Sequence, residues 1–358
     1  MFELFDEPKK STDWKWEFKD YPKQKNGLKV FSCFACGGGS TMGYKLAGCE
    51  VIGCIEIDPK INEIYVKNHH PKFNFCMDLR EFNKIPNEEL PSELFNLDIL
   101  DGSPPCTTFS MAGQREESWG KKKKFREGQA EQTLDDLSFV FIDTVKKLKP
   151  KVVIMENVEG LVRGDAFSYV QRIYSGFKES GYFVHHWLLK GENMGIPQKR
   201  HRVFFVATKT ELEIDPSWLD MSFNYEQIHY SQIIGGNSRP MSSHSQLYEM
   251  LCKANSQDHT IKDVLSREKG KYSCFNDLIV WDNEVAPTLT ANASIMSGNH
   301  KRKLTFLEFQ RMQTFPEDYD FGTQNPGYIC GMSVPPIMIK RIVTRLIEQG
   351  VFDYAKPM

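Results

Sequence analysis

The sequence predicts an α/β protein whose core is a largely parallel sheet with helices on both faces. The first observation is a strand over residues 28–31 that runs directly into a glycine-rich loop and then a helix. The second is a further apolar strand, 50–55, that ends in a carboxylate. The third is a helical pattern over 134–148 followed by the strand 152–155. Because strands that alternate with helices form βαβ units, these observations favour a single parallel sheet.

Composition limits the kinds of protein this chain can be. It has 358 residues and a formal net charge of -2, with a pI of about 6.5. This length is sufficient for two domains, and the charge excludes a protein that is basic overall but not one with a local basic patch. Nine cysteines without regular spacing or a secretory signal peptide predict reduced thiols in a cytoplasmic protein. No apolar run approaches the roughly 18 residues of a membrane-spanning helix, so we expect no membrane partner.

The first predicted binding element is the loop over residues 34–39. Its glycines allow backbone N–H groups to approach a ligand closely. Glu56, at the end of the second strand, is placed to hydrogen-bond a ribose diol. The alternative for Glu56 is a helix N-cap, but Asp58, which precedes a proline, is the better candidate for that cap. A third carboxylate, Asp78, follows the apolar stretch 73–77.

Cys106 is the predicted nucleophile. It follows an apolar run, 94–100, that we predict to be a buried strand, and then a turn of glycine and proline. Ligands of open parallel sheets bind beyond the carboxyl ends of the strands, and a thiolate is strongly nucleophilic even as a minor species. A buried structural cysteine is the alternative. The flanking prolines and the polar residues that follow favour a nucleophile.

Charged residues surround this cysteine in sequence. A polar stretch, 111–132, follows it and predicts a mobile lid that contacts phosphates, although most such runs are only solvated loops. The strand 152–155 delivers Glu156 to the same edge of the sheet, and Arg200 and Arg202, at alternate positions, point to one face of an extended segment. The basic residues of the lid are Arg115, Lys121, Lys122, Lys123, Lys124 and Arg126.

The sequence does not predict a metal site. Cys33 and Cys36 form a C-x-x-C pair, but no second pair stands at a spacing suited to zinc. The pairs His69-His70 and His185-His186 also lack partners, so we expect surface or packing histidines.

Periodicity divides the rest of the chain. It fails between about 210 and 302, where acids outnumber bases, and it returns at Thr305 and Glu308, which have capping-box spacing. An amphipathic helix over 337–346 closes the chain. We therefore predict an N-terminal extension (1–27), a catalytic domain (28–209), a smaller loop-rich domain (210–302) and a C-terminal segment (303–358) that returns to the catalytic domain.

The order of these motifs resembles that of the cytosine-5 DNA methyltransferase family. The matching segments are Phe34-Ala35-Cys36-Gly37-Gly38-Gly39, Glu56, Asp78, Pro105-Cys106, Glu156-Asn157-Val158, Gln198-Lys199-Arg200-His201-Arg202, Arg302-Lys303-Leu304-Thr305, Arg311-Met312-Gln313-Thr314-Phe315-Pro316 and 331–335. They span nearly the whole chain in the family's order. The resemblance implies a Rossmann-like S-adenosylmethionine-dependent methyltransferase sheet, with target recognition in residues 210–302.

The resemblance also implies a reaction, the methylation of C5 of a flipped-out cytosine in a specific DNA sequence, with S-adenosyl-L-homocysteine as the product. Cys106 would attack C6 and Glu156 would protonate N3. Arg202 would bind O2, while Arg200 would support the loop that carries the nucleophile. The implied cofactor residues are Phe34, Cys36, Gly37, Gly38, Gly39, Glu56, Ile57, Asp78, Leu79, Pro104 and Ser333. The implied DNA contacts are Ser110 and the six basic residues of the lid.

Departures from the family's pattern concern mainly the cofactor. Cys36 and Gly37 replace a glycine and an aliphatic or small residue, Thr107 replaces a glutamine, and Met332 replaces an asparagine. A side chain at Cys36 could crowd the cofactor, and Met332 bears on cofactor affinity. The implied partners are double-stranded DNA and a cognate restriction endonuclease. We expect a cytoplasmic monomer that associates with the nucleoid through DNA.

Three other functions compete with this interpretation. A zinc cytosine deaminase needs P-C-x-x-C, and Phe109 stands where its second cysteine would be. A tRNA cytosine-5 methyltransferase shares the chemistry, but the long variable segment favours a reader of duplex DNA. A DNA-binding pseudoenzyme is disfavoured by the presence of Cys106, Glu156 and Arg202.

Overall fold

The computed structural model describes residues 7–105, 137–163, 167–238, 240–270, 277–292 and 294–353. The chain divides into two compact units, each assembled from separate stretches of sequence. We call one the α/β unit; it comprises Tyr21–Leu189, His201–Ser222 and Ile339–Met358. The second unit comprises Met1–Asp20, Lys190–Arg200 and Phe223–Met338.

One sheet forms the centre of the α/β unit. Its strands are β1 (Lys29–Cys33), β2 (Glu50–Ile55), β3 (Phe73–Phe75), β4 (Ile99–Gly102), β5 (Val152–Val158), β6 (Tyr182–Lys190) and β7 (His201–Lys209). Within the described residues these seven strands have the order β3-β2-β1-β4-β5-β7-β6. Pairs among β1 to β5 are parallel, and β5 pairs antiparallel with β7. The predicted parallel-dominated sheet is confirmed.

Helices alternate with these strands and continue into the second unit. They are α1 (Gly39–Leu46), α2 (Pro59–His69), α3 (Leu79–Lys84), α4 (Leu137–Leu148), α5 (Phe167–Glu179), α6 (Tyr230–Ile233), α7 (Gln246–Lys253), α8 (Ile261–Lys269), α9 (Phe306–Met312), α10 (Pro326–Met332) and α11 (Pro336–Glu348). Asp58 caps α2 and Thr305 forms a capping box at α9. Both caps were predicted, because Asp58 precedes a proline and Thr305 stands three residues before a glutamate.

Helices cover both faces of the sheet. Successive residues of a strand point to opposite sides, so neighbouring residues of β1 contact different helices. Phe31 of β1 stacks on Phe82 of α3, with ring centroids 6.0 Å apart. Ser32, the next residue, points to the other face, where its hydroxyl and that of Tyr44 in α1 contact the same carboxylate, Asp101. The larger apolar core lies on the Phe31 side, where α3, α4 and α5 pack. The predicted layering is confirmed.

The position predicted for the fourth strand is wrong. β4 begins only at Ile99, and Ser92–Phe95 form a short 3-10 helix. Leu94 and Leu97 are nevertheless buried in the core, so the apolar run reflects burial and not strand pairing. The strand ends at Gly102, where an added Cβ would lie 2.3 Å from the ring of Phe141 on α4.

The second unit includes helices α6 to α10 and a small sheet. The strands of this sheet are β8 (Leu278–Val280), β9 (Ile295–Ser297) and β10 (Arg302–Lys303). A separate apolar cluster holds α7 and α8 against β8 and β9 and includes Leu251, Val264 and Met296. These elements are short, which explains why periodicity did not reveal them in the sequence.

Residues 7–20, for which the sequence indicated no role, pack within this unit. Trp16 is 5% exposed, and its indole N–H donates to the carbonyl oxygen of Thr314 at 2.8 Å. The backbone N–H of Phe18 donates to the carboxylate of Asp318. In the part of the chain that the structure describes, no helix is long and apolar enough to cross a membrane.

Candidate active site

The predicted site residues of the α/β unit gather at one edge of its sheet. The order β2-β1-β4-β5 brings the carboxyl ends of four parallel strands side by side. Glu56 follows β2, the 34–38 loop follows β1, Pro105 lies just beyond β4, and Glu156 lies near the end of β5. Open sheets bind their ligands at this edge. Cys106, Ser110, Arg115, Lys121, Lys122, Lys123, Lys124 and Arg126 lie outside the described residues.

The 34–38 loop turns through left-handed backbone conformations. The φ angle is 57° at Phe34, 46° at Cys36 and 80° at Gly38. A Cβ at Gly38 would lie 2.0 Å from Nε2 of His69, so this position requires glycine for steric as well as conformational reasons. At Cys36 the left-handed conformation costs an L side chain about 1–2 kcal/mol. The departure from the family's glycine is therefore accommodated with local strain.

His69 supports the loop from α2. Its ring is 5% exposed, and Nε2 lies 3.1 Å from the carbonyl oxygen of Gly37. Burial lowers the pKa of His69 to about 3, so the ring is neutral at physiological pH and its Nε2–H donates to this carbonyl. The expectation of a packing histidine is confirmed, but only the structure reveals that it packs beneath the loop.

Glu56 ties the loop to the next strand. One carboxylate oxygen accepts the N–H of Cys36 at 2.8 Å, and the other accepts the N–H of Asp58 at 2.9 Å. The side chain is buried, and burial raises the pKa of Glu56 while these N–H donors oppose that shift. A carboxylate offers about four acceptor positions, so Glu56 retains capacity for ribose hydroxyls. This acceptor set beside a loop of backbone N–H groups fits an adenosyl cofactor.

Other predicted cofactor residues have structural partners of their own. Asp78 caps α3 by accepting the N–H of Arg80 at 2.7 Å, and its side chain is 25% exposed. Leu79 packs in the core, so any contact it makes with a cofactor must come from its backbone. In the second unit, Ser333 is 2% exposed and its hydroxyl donates to the carbonyl oxygen of Ile329 at 2.8 Å.

Glu156 and Arg202 form an ion pair across two neighbouring strands. Val158 lies opposite Arg202 in the β5–β7 register, so Glu156 and Arg202 project from the same face. The Nε of Arg202 lies 2.9 Å from Oε1 of Glu156, and the side chains are 15% and 12% exposed. Burial lowers the pKa of Arg202 while Glu156 opposes that shift, and the guanidinium stays charged. Two residues predicted to bind the same base are therefore in contact.

Asn157, for which the sequence indicated no individual role, holds the turn that precedes Cys106. Its side-chain N–H donates to the carbonyl oxygen of Pro104 at 3.3 Å, and the side chain is 1% exposed. The hydroxyl of Ser103 lies 3.5 Å from the carbonyl oxygen of Phe34, which connects this turn to the 34–38 loop. The sequence signal that could have indicated this role is the position of Asn157 inside the matched Glu-Asn-Val segment.

Arg200 belongs to the second unit, where its guanidinium donates hydrogen bonds to backbone carbonyls that are distant in sequence. It is 3% exposed and donates to the carbonyl oxygens of Leu289 at 2.8 Å, Gly331 at 3.3 Å and Ser333 at 2.9 Å. Gln198, also buried, accepts the N–H of Leu289 at 2.9 Å. The motif over 198–200 thus joins three separate stretches of the second unit. The predicted support of the nucleophile's loop stays a prediction.

Known proteins resemble this chain in sequence and in fold. The family model of C-5 cytosine-specific DNA methylases matches residues 28–348. The Type II methyltransferase M.FnuDI of Fusobacterium nucleatum is 34% identical over 363 residues, which cover 92% of this chain and 96% of that protein. The Type II methyltransferase M.Sau96I of Staphylococcus aureus is 26% identical over 348 residues, covering 91% and 77%.

A solved structure, described as a DNA modification methyltransferase encoded within a prophage of E. coli, has a TM-score of 0.64 at 19% identity. The match covers 90% of this chain and 99% of that one, and it shows that the fold is shared. Together with the family match along most of the sequence, it leads to one conclusion. The chain belongs to the family of C-5 cytosine-specific DNA methylases and is a DNA (cytosine-5-)-methyltransferase.

Proposed function

We propose that this enzyme methylates C5 of a cytosine flipped out of double-stranded DNA, through a covalent bond between Cys106 and C6. The observation that carries the proposal is the buried pair of Glu156 and Arg202. The pair lies beside the turn that Asn157 holds in front of Cys106. A carboxyl group and a guanidinium within hydrogen-bonding distance of each other suit a cytosine ring, because its N3 and O2 are adjacent.

S-adenosylmethionine is the proposed cofactor, and when bound it supplies the methyl group that C5 accepts. The 34–38 loop would bind the adenosyl group through backbone N–H groups, and Glu56 would accept hydrogen bonds from the ribose. The reaction as proposed leaves S-adenosyl-L-homocysteine and uses no metal ion. The residues assigned to this site are Phe34, Cys36, Gly37, Gly38, Gly39, Glu56, Ile57, Asp78, Leu79, Pro104 and Ser333.

The residues of the chain prepare C5, which is a poor nucleophile in cytosine itself. As the bond between the Cys106 sulfur and C6 forms, negative charge develops at N3 and O2. Glu156 gives a proton to N3 and Arg202 hydrogen-bonds O2, which leaves C5 enamine-like and able to form the bond to methyl. Loss of the C5 proton to a base, return of the N3 proton to Glu156 and departure of the thiolate from C6 restore the ring.

The proposal assigns the reading of duplex DNA to residues 210–302 within the predicted four-part domain organisation. Extrusion of the base from the stack costs a few kcal/mol, which contacts to the DNA must offset. Relatives named Type II methyltransferases favour a modification enzyme with a cognate restriction endonuclease. We propose a cytoplasmic monomer that acts on the DNA of the nucleoid. The assigned phosphate contacts are Ser110, Arg115, Lys121, Lys122, Lys123, Lys124 and Arg126.

The test is mechanism-based trapping on DNA. Bisulfite sequencing of DNA from cells that express the protein first identifies the methylated sequence. A duplex with 5-fluorocytosine at that position is then incubated with enzyme and S-adenosylmethionine, and the adduct is mapped by mass spectrometry. Fluorine cannot leave as the C5 proton does, so enzyme and DNA should remain joined through Cys106, and Cys106→Ala should abolish the adduct without abolishing DNA binding.

Other outcomes would overturn parts of the proposal. Methylation of tRNA but not of duplex DNA would exclude the proposed substrate, and DNA binding without methyl transfer would indicate a pseudoenzyme. An adduct on Cys33 or Cys36 would exclude the proposed nucleophile.

Glu156→Gln tests the carboxyl group separately. It should bind DNA and cofactor but react about 10²–10⁴-fold more slowly, because the amide cannot supply the proton. Glu159→Gln is the matched control, since Glu159 is a nearby carboxylate, 19% exposed, that pairs with Arg163. Equal rates for the two variants would remove Glu156 from the proposed chemistry.

A further inference from the structure

We propose that Asp101 is a positioning residue. Its buried carboxylate holds the 34–38 loop in register with β4, the strand that leads to Cys106. This inference rests on the proposed function of the site and adds a residue that the motif comparison did not assign. Asp101 is 2% exposed and lies in β4, on the face of the sheet that α1 covers.

The carboxylate of Asp101 bonds to residues on both sides of the 34–38 loop. One oxygen accepts the hydroxyl of Ser32 in β1 at 2.7 Å, and the other accepts the hydroxyl of Tyr44 in α1 at 3.1 Å. Ser40, in the first turn of α1, also interacts with this carboxylate and stabilises its ionised form. Ser32 precedes the loop while Ser40 and Tyr44 follow it, so displacement of either end must break a bond to this carboxylate.

The same carboxylate is fixed to the strand that carries the nucleophile's turn. Asp101 pairs directly with Ser32 in the β1–β4 register, and the turn begins as soon as β4 ends. The hydroxyl of Ser103 in this turn lies 3.5 Å from the carbonyl oxygen of Phe34 in the loop. Loop and turn therefore share two connections, and Asp101 supplies the buried one.

The surroundings of Asp101 contain hydroxyl donors, and the titratable groups that interact with it most strongly among the described residues bring no positive charge. These groups are Cys33 on β1, Tyr44 on α1, Tyr65 on α2 and Glu156 on β5. Burial raises the pKa of Asp101 to about 7. Burial likewise raises the pKa of Cys33, Tyr44 and Tyr65 well above their ordinary values, so these three stay neutral near pH 7.

The ionised form is the one that completes the network. A carboxylate accepts from several hydroxyls at once, whereas a protonated carboxyl must use one oxygen as a donor. If only the ionised form holds the loop, the affinity for cofactor should fall about tenfold between pH 8 and pH 6, because the competent fraction falls by that factor. Asp101→Asn should bind more weakly at pH 8 and show no such fall.

Titration calorimetry with S-adenosyl-L-homocysteine and the full chain measures this affinity at pH 8 and at pH 6. Asp98→Asn is the matched control: Asp98 is a buried carboxylate just before the same strand, bonded to the N–H of Lys29 at 2.8 Å and to the amine of Lys151 at 2.9 Å. The control should keep the tenfold pH dependence. Ser32→Ala removes one hydroxyl without changing the carboxylate, and it should weaken binding at pH 8 even if Asp101→Asn does not fold.

Retention of the full pH dependence in Asp101→Asn, or unchanged affinity in Ser32→Ala, would overturn the inference. The covalent step gives a second readout. At saturating cofactor, Asp101→Asn should form the 5-fluorocytosine adduct at least tenfold more slowly, whereas wild-type speed would overturn the link to the nucleophile's turn. If the wild-type chain bound no S-adenosyl-L-homocysteine at all, the proposed function itself would fail.

Discussion

The charge of Asp101 should make the stability of this enzyme depend on pH. Burial raises the pKa of Asp101 to about 7 in the folded protein, whereas an unfolded aspartate titrates near 3.9. The folded state therefore binds the proton more tightly, and the corresponding stability is fully present below about pH 4 and lost as the pH rises through 7. At 1.36 kcal/mol per pKa unit, the whole loss is about 4 kcal/mol.

Asp101→Asn removes this titration. The amide mismatches part of the hydroxyl network, which costs about 1–3 kcal/mol at any pH. At pH 5 the wild-type protein retains the part of this stabilisation that corresponds to about two pKa units, which is about 3 kcal/mol, and at pH 8 it retains almost none. The difference in unfolding free energy between Asp101→Asn and the wild type should therefore shift by about 3 kcal/mol in favour of the variant when the pH rises from 5 to 8.

Urea denaturation followed by circular dichroism at both pH values provides the measurement. Asp98→Asn is the control, because it changes another buried carboxylate beside β4, one that is bonded to the Lys151 amine and a backbone N–H. A shift of less than about 1 kcal/mol for Asp101→Asn would refute the reasoning, because the carboxyl would then titrate alike in the folded and unfolded states.

Two further predictions concern the 34–38 loop. Cys36→Gly should stabilise the protein by about 0.5–1 kcal/mol in urea denaturation, because glycine adopts the φ of 46° without strain, and destabilisation would contradict this origin of the strain. Gly38→Ala should destabilise by about 2–4 kcal/mol, from a Cβ placed 2.0 Å from His69 and from the left-handed φ. Adding His69→Ala should recover part of that loss, and a double-mutant cycle without coupling would exclude the clash.

Local sequence signals predicted much of the fold. The strand at 50–55 agrees in both bounds with β2, since its apolar residues are bounded by Gly48 and by the carboxylate Glu56. The caps of α2 and α9 were readable because capping uses residues within three positions of each other. The fourth strand was misplaced because Leu94, in a 3-10 helix, and Leu97, just after that helix, are both buried in the core although neither belongs to a strand. An apolar run reports burial, and burial alone does not distinguish strand from turn.

The sequence by itself determined the family and a largely parallel sheet, and it predicted catalytic roles for Cys106, Glu156 and Arg202, because motif order and strand ends are properties of the chain. Tertiary structure alone decided that Glu156 pairs with Arg202, that His69 lies beneath the loop, and that Asp101 joins two strands and a helix. These contacts depend on which strands become neighbours and on which face each side chain takes. Neighbour order in a parallel sheet is set by packing between residues distant in sequence, and no local pattern encodes it.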